Sequence, residues 1–124
     1  MECKITLSDN KKYVIMVVSG DLDLENLMKY SIEANKIGDE NNLNSYLMDM
    51  VNARNKKSIA DNYDFAYNDM KDNKEIHISA RVAYVVAEND HSHDFVETVM
   101  INAGYDIKLF RNKEKAIEFL MENE

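Results

Sequence analysis

The residues Val82-Ala83-Tyr84-Val85-Val86 form an unbroken apolar run of strand length, rich in β-branched side chains. Successive side chains of a strand point to opposite faces, so a strand apolar at every position needs cover on both sides of its sheet. That requirement points to helices layered over a largely parallel sheet, and the rest of the chain supplies them.

Cys3, Ile5 and Leu7 alternate with Lys4 and Thr6; the turn formers Ser8-Asp9-Asn10 follow, then the apolar run Tyr13–Val18. This predicts a β-hairpin, ended by Gly20. Asp23 is placed to cap a helix with Leu24, Leu27, Met28, Ser31 and Ala34 at helical spacing, stopped by Gly38. Tyr46-Leu47-Met48 predicts a short buried strand ending at Asp49. Ser58, with Asp61 three residues on, opens a second helix whose core stripe reads Ile59, Tyr63, Ala66 and Met70.

Beyond the central run, Phe95, Val96, Val99, Met100 and Ala103 mark a third helix closed by Gly104. Tyr105, Ile107 and Leu109 alternate as a last strand, and Asn112 caps a fourth helix turning Ala116, Ile117, Leu120 and Met121 inward. The predicted class is α/β, order ββαβαβαβα: a mostly parallel five-stranded sheet with an antiparallel N-terminal edge strand and four helices. With 124 residues, no proline and three glycines, the chain is expected to form a single domain over residues 1–124 with short loops.

A formal net charge of −8 argues against a broad cationic surface for nucleic acid or anionic lipid. The N-terminus lacks an apolar signal-like core, and neither Tyr13–Val18 nor Val82–Ala87 approaches the length of a membrane span, so a cytoplasmic protein without membrane insertion is expected. Cys3, the single cysteine, cannot form an internal disulfide and reads as an inert strand thiol. The run Glu88-Asn89-Asp90 and the terminal Glu122-Asn123-Glu124 read as solvated surface. The eight methionines read mostly as core gap-fillers.

The densest cluster of chemically capable residues is Asp90-His91-Ser92-His93-Asp94. A transition-metal site needs three or four converging ligands, whereas histidines two apart diverge by about 200° on a helix. The sequence therefore favours a strand-to-helix turn, with Asp90 or Ser92 capping the third helix and no metal or cofactor bound. The loop still sits at the carboxyl end of a parallel strand, as do those after Asp49 and Gly20, where open α/β sheets bind ligands. Asp90, His91, His93 and Asp94 are thus the candidate ligand loop. No Gly-rich phosphate loop, nucleophile elbow or paired-carboxylate motif occurs, so a non-enzymatic role is expected. In the second helix Tyr63, Phe65 and Tyr67 lie closer together than one core stripe needs. Tyr63 and Tyr67 share a side, while Phe65 is left to project elsewhere, so the three are candidate interface residues.

Three segments carry a family resemblance: Val17–Leu27 (VVSGDLDLENL), Tyr46–Ala53 (YLMDMVNA), and Arg81–Asp90 (RVAYVVAEND) taken with Gly104–Leu120 (GYDIKLFRNKEKAIEFL). Together they resemble the SpoIIAA-like family, relatives of the anti-sigma-factor-antagonist (STAS) domains. A final strand ending Phe110-Arg111, then a capped helix packing Ala116, Phe119 and Leu120, matches that pattern most closely. The resemblance implies a protein-interaction or regulatory module, with a protein partner or a second copy as a homodimer, and a partner surface near the second helix. Its relation to SEC14-type domains implies an alternative, a small-molecule or lipid carrier, which requires an apolar pocket of several hundred cubic ångströms. STAS switches carry Asp-Ser-Ser-Gly where this chain has Lys56-Lys57-Ser58-Ile59. Ser58 is the position phosphorylation would take, beside the simpler reading of an N-cap.

Overall fold

The computed structural model describes residues 1–70 and 77–122. The sheet order is β1-β2-β3-β4-β5, formed by β1 (Glu2–Leu7), β2 (Val14–Asp21), β3 (Ser45–Arg54), β4 (Arg81–Val85) and β5 (Asp106–Phe110). β1 pairs antiparallel with β2, and every other pairing is parallel. The helices are α1 (Leu24–Glu40), α2 (Ile59–Asp64), α3 (Asp94–Asn102) and α4 (Lys113–Met121); a π-helical segment, Phe65–Met70, continues α2. The predicted order and class are those observed. Among the described residues, no helix is long and apolar enough to cross a membrane.

Alternation divides the core into two layers. Val14, Met16 and Val18 of β2, Tyr46, Met48 and Met50 of β3 and Tyr84 of β4 face α1, the α2 segment and α3, meeting Leu27, Ala34, Phe65, Ala66, Val99 and Met100. Tyr13, Leu47, Ala83 and Val85 face the other way, under Ala116 and Leu120 of α4. The two-sided burial inferred from Val82–Val86 is therefore present, with Ala83 and Val86 among the least exposed residues.

The caps read from the sequence form as local hydrogen bonds. Asp23 accepts from Glu25 N and Asn26 N, Ser58 from Asp61 N, and Asn112 from Lys115 N. Gly104, at φ +99°, closes α3 with Tyr105 N donating to Met100 O (3.1 Å) and Gly104 N to Ile101 O (3.0 Å).

Several local expectations are corrected. Gly20 lies inside β2 rather than ending it, after an irregularity in register between Val17 and Ser19. β3 runs on past Asp49 to Arg54, because Asn52, Ala53 and Arg54 pair with Ser19, Gly20 and Asp21. Beyond Asp49 it has no β4 partner, so polar residues are tolerated there. Gly38 does not stop α1, which continues to Glu40 with Asn41 at its C-cap. Gly38 is buried in the last turn of the helix, where an added Cβ would overlap the Tyr46 hydroxyl and lie 2.9 Å from the Leu43 carbonyl oxygen. In α3, Val99 and Met100 are buried but Phe95 is 39 % exposed. The expected core positions Ile59 and Met70, and the terminal Asn123 and Glu124, lie outside the described side chains. Cys3 is half-buried, and burial, with Glu33 nearby, pushes its thiol up to about 11, in keeping with an inert cysteine.

Candidate functional site

The carboxyl ends of β2, β3 and β4 meet at one end of the sheet, and a buried polar network ties their loops together. Leu22 N donates to Arg54 O (2.9 Å), joining the first two. Asn55 N donates to Ser92 Oγ (3.1 Å), joining the second and third, while its Nδ2 donates to Asn62 Oδ1 (2.9 Å) on α2. Asn62 Nδ2 returns a bond to Ser58 O (2.9 Å), and Lys57 N donates to Asn55 Oδ1 (3.1 Å). Both asparagines are buried, so each of these bonds offsets a desolvation cost of about 1–3 kcal/mol. Sequence reasoning missed them. Asn62 lies four residues before buried Ala66, so a polar side chain one turn from a core position was the available signal.

The two histidines of the candidate loop have opposite fates. His93 is fully buried, and its Nε2 donates to the Ala53 carbonyl (2.9 Å) at the end of β3. A carbonyl only accepts, so Nε2 carries a proton, and Nδ1 is buried with no hydrogen-bond partner among the described residues. Asp90, also buried, places Oδ2 3.6 Å from His93 Nε2 and accepts from Ser92 N (2.9 Å) through Oδ1. Burial pushes the Asp90 carboxyl up, but the Ser92 bonds and the charges of His93 and Arg54 outweigh it and hold the group below its ordinary value.

His91 points outward. Its Nδ1 lies 2.8 Å from Asp94 Oδ2, and Arg111 Nη2 donates to Asp94 Oδ1 (2.7 Å) while Nη1 donates to Asp90 O (3.0 Å). Arg111, from the Phe110-Arg111 ending of β5, thus clamps the β4–α3 loop. Asp90 and His93 face the interior whereas His91 and Asp94 face solvent, so the four do not converge. No group of three or more His, Cys, Asp or Glu able to hold a metal ion occurs among the described residues. The expected cap is corrected as well: His93 occupies the N-cap position of α3 without a side-chain cap bond, because Asp90 spends its carboxylate on Ser92 and His93. The geometry is that of a latch holding three loops in register.

One consequence is a pH dependence. The hydrogen bond with His91, then those from Arg111, hold the Asp94 carboxyl below its ordinary value. A depressed carboxylate stabilises the fold above its unfolded pKa, and that contribution disappears as pH falls through the lower folded value. Asp94→Asn is therefore expected to be less stable than the parent at pH 6, with the difference closing below about pH 4. Urea midpoints measured across that range check this, and a gap that widens on acidification would contradict it. Because Asp94 is half exposed, the effect should stay within the small range of surface ion pairs.

On the α2 segment the structure reverses the expected roles of two aromatics. Phe65 is 7 % exposed and in the core, whereas Tyr63 is 50 % exposed and stacks on Tyr67 with ring centroids 4.4 Å apart. The inward face of this segment is Asn62, Phe65 and Ala66, which turns Tyr63 out. Ser58 is exposed and acts as the N-cap, its Oγ accepting from Asp61 N (3.0 Å).

Among solved structures, the chain is similar to the crystal structure of an uncharacterized protein from the DUF3478 family with a SpoIIAA-like fold, from Shewanella loihica PV-4. The two share 20 % identity over 96 % of this chain and 92 % of that one, with a TM-score of 0.58. This chain has a SpoIIAA-like fold. No protein-family model matches it, and neither does any curated protein.

Proposed function

We propose that this SpoIIAA-like chain works as a non-enzymatic protein-interaction module of regulatory type, acting in the cytoplasm and meeting its partner through the α2 segment. The observation that carries the reading is the exposed Tyr63 ring stacked on Tyr67 at 4.4 Å. A rigid aromatic pair supplies contact area at little entropic cost, and tyrosine is enriched where binding energy concentrates. The divergence of Asp90, His91, His93 and Asp94 supports a role without catalysis, since acid–base chemistry needs groups within reach of one reacting atom.

The carrier alternative has less support. The enclosed spaces beneath α1 and α3, lined in part by Leu27, Phe65, Tyr84 and Met100, measure ≈ 50 and ≈ 20 Å³, against the several hundred a lipid requires.

Native mass spectrometry on protein purified from its own host tests the proposal. A dimer or a stoichiometric protein complex is expected, and Tyr63→Ala should weaken it at least tenfold, on the scale of an interface hot spot. A monomer carrying a bound metal or small molecule, indifferent to Tyr63, would overturn it. A mass increase of one phosphate, lost in Ser58→Ala, would add the switch to the module.

A further inference from the structure

A groove of ≈ 360 Å³ runs between the start of α1 and the π-helical segment that carries Tyr67, with Leu24, Met28 and Phe65 lining its apolar part. It adjoins a wider polar depression of ≈ 610 Å³ at the mouth of α2. Five carboxylates line the two: Asp23, Glu25, Asp61, Asp64 and Asp69. Among the described residues, two lysines, Lys29 and Lys57, stand among them. Asp23 is committed to capping α1 and Asp64 Oδ1 accepts a bond from Asn68 Nδ2, but Asp61 and Asp69 are exposed. One wall is a π-helical turn, a rare geometry that recurs at functional sites.

Resting on the interaction reading above, we infer that this groove docks a cationic amphipathic segment of the partner protein, its apolar side chains on Leu24 and Met28 and its lysines or arginines along the acidic rim. Charge complementarity selects this occupant. Among the described residues the rim carries three more negative than positive side chains, and the chain's net charge of −8 steers a basic segment toward it. An acidic or neutral segment would leave the rim carboxylates repelled or unpaired. Helix-in-groove recognition of this kind reads apolar anchors at i and i+3 or i+4 with charged flanks.

The test uses the full chain and three labelled peptides of about 16 residues: a Leu/Lys amphipathic helix, a scrambled isomer of the same composition, and a Leu/Glu counterpart. By fluorescence anisotropy at physiological salt, the amphipathic cationic peptide should bind at least tenfold more tightly than both controls. The pair Asp61→Lys and Asp64→Lys should weaken that binding at least tenfold. The pair Glu114→Lys and Glu118→Lys on α4, with the same change in net charge, should leave it within twofold. Equal losses from the two pairs, or equal binding of the scrambled peptide, would reduce the effect to bulk attraction and overturn the assignment. If the peptide fails while Tyr63 still controls a native complex, the groove assignment falls and the interaction reading stands. If neither holds, both fall.

Discussion

Replacing Gly38 by alanine is expected to destabilise the protein by about 2 kcal/mol, although glycine-to-alanine inside a helix ordinarily gains about 1 kcal/mol. The sign is set by contact. Gly38 sits in the last turn of α1, where a Cβ would overlap the Tyr46 hydroxyl, lie 2.9 Å from the Leu43 carbonyl oxygen and 3.0 Å from Tyr46 Cζ. Tyr46 is 3 % exposed on β3, and the Leu43 oxygen is backbone, held by the bond from Leu43 N to Gly38 O (2.8 Å), so it cannot swing aside as a side chain can. The helix-propensity gain is therefore outweighed by overpacking. Tyr46→Phe is the informative companion. The Tyr46 hydroxyl is buried with no hydrogen-bond partner among the described residues, and burial pushes its pKa up to about 12. Removing it is expected to raise stability by about 1 kcal/mol and to recover part of the Gly38→Ala loss. Recovery should be partial, since the Leu43 oxygen remains close. Urea denaturation of the two single variants and the double variant reads all three values. A Gly38→Ala protein as stable as the parent would mean the glycine is incidental.

His93→Ala is expected to cost about 3 kcal/mol or more, and His91→Ala at most about 0.5 kcal/mol. The first removes a fully buried ring and the donor to the Ala53 carbonyl, leaving a cavity and an unpaired acceptor where Ala53 is 1 % exposed. It also frees the end of β3 from the β4–α3 loop, so amide exchange should quicken around Ala53 and Asn55 ahead of the remaining sheet. The second removes a side chain 71 % exposed, whose partner Asp94 keeps the bond from Arg111. His93→Gln, able to donate from nearly the same place as Nε2, should recover part of the loss. Equal stabilities for the alanine variants at His91 and His93 would contradict the latch and favour a loop whose histidines both face solvent. The measurement also separates structure from catalysis, because a latch acts on folding whether or not any substrate is present.

Much of the fold was legible because it rests on short-range physics. The unbroken run Val82–Val86 declared two-sided burial, and alternation at Cys3–Leu7 declared a hairpin partner. Asp23, Ser58 and Asn112 declared helix starts through bonds spanning two or three residues. The site was less legible. The turn reading of Asp90–Asp94 anticipated that its members would not converge, but no pattern told His91 from His93. At Tyr63 and Phe65 the periodicity was ambiguous, since a segment passing from α-helical to π-helical bonding changes which spacing shares a face.

The sequence by itself determined the element order and the helix starts at Asp23, Ser58 and Asn112, which depend on neighbours a few residues away, and that order with the general rules of strand connection gave the mixed sheet with its antiparallel edge. Only the tertiary structure decided that His93 is buried and His91 exposed, that Gly38 yields to Tyr46, and that β3 outruns Asp49. Each of these depends on atoms brought together from distant places: Ala53 O with His93 Nε2 across 40 residues, Asn52–Arg54 alongside Ser19–Asp21. Contacts between remote segments exist only once the chain has closed on itself, and local periodicity carries no record of them.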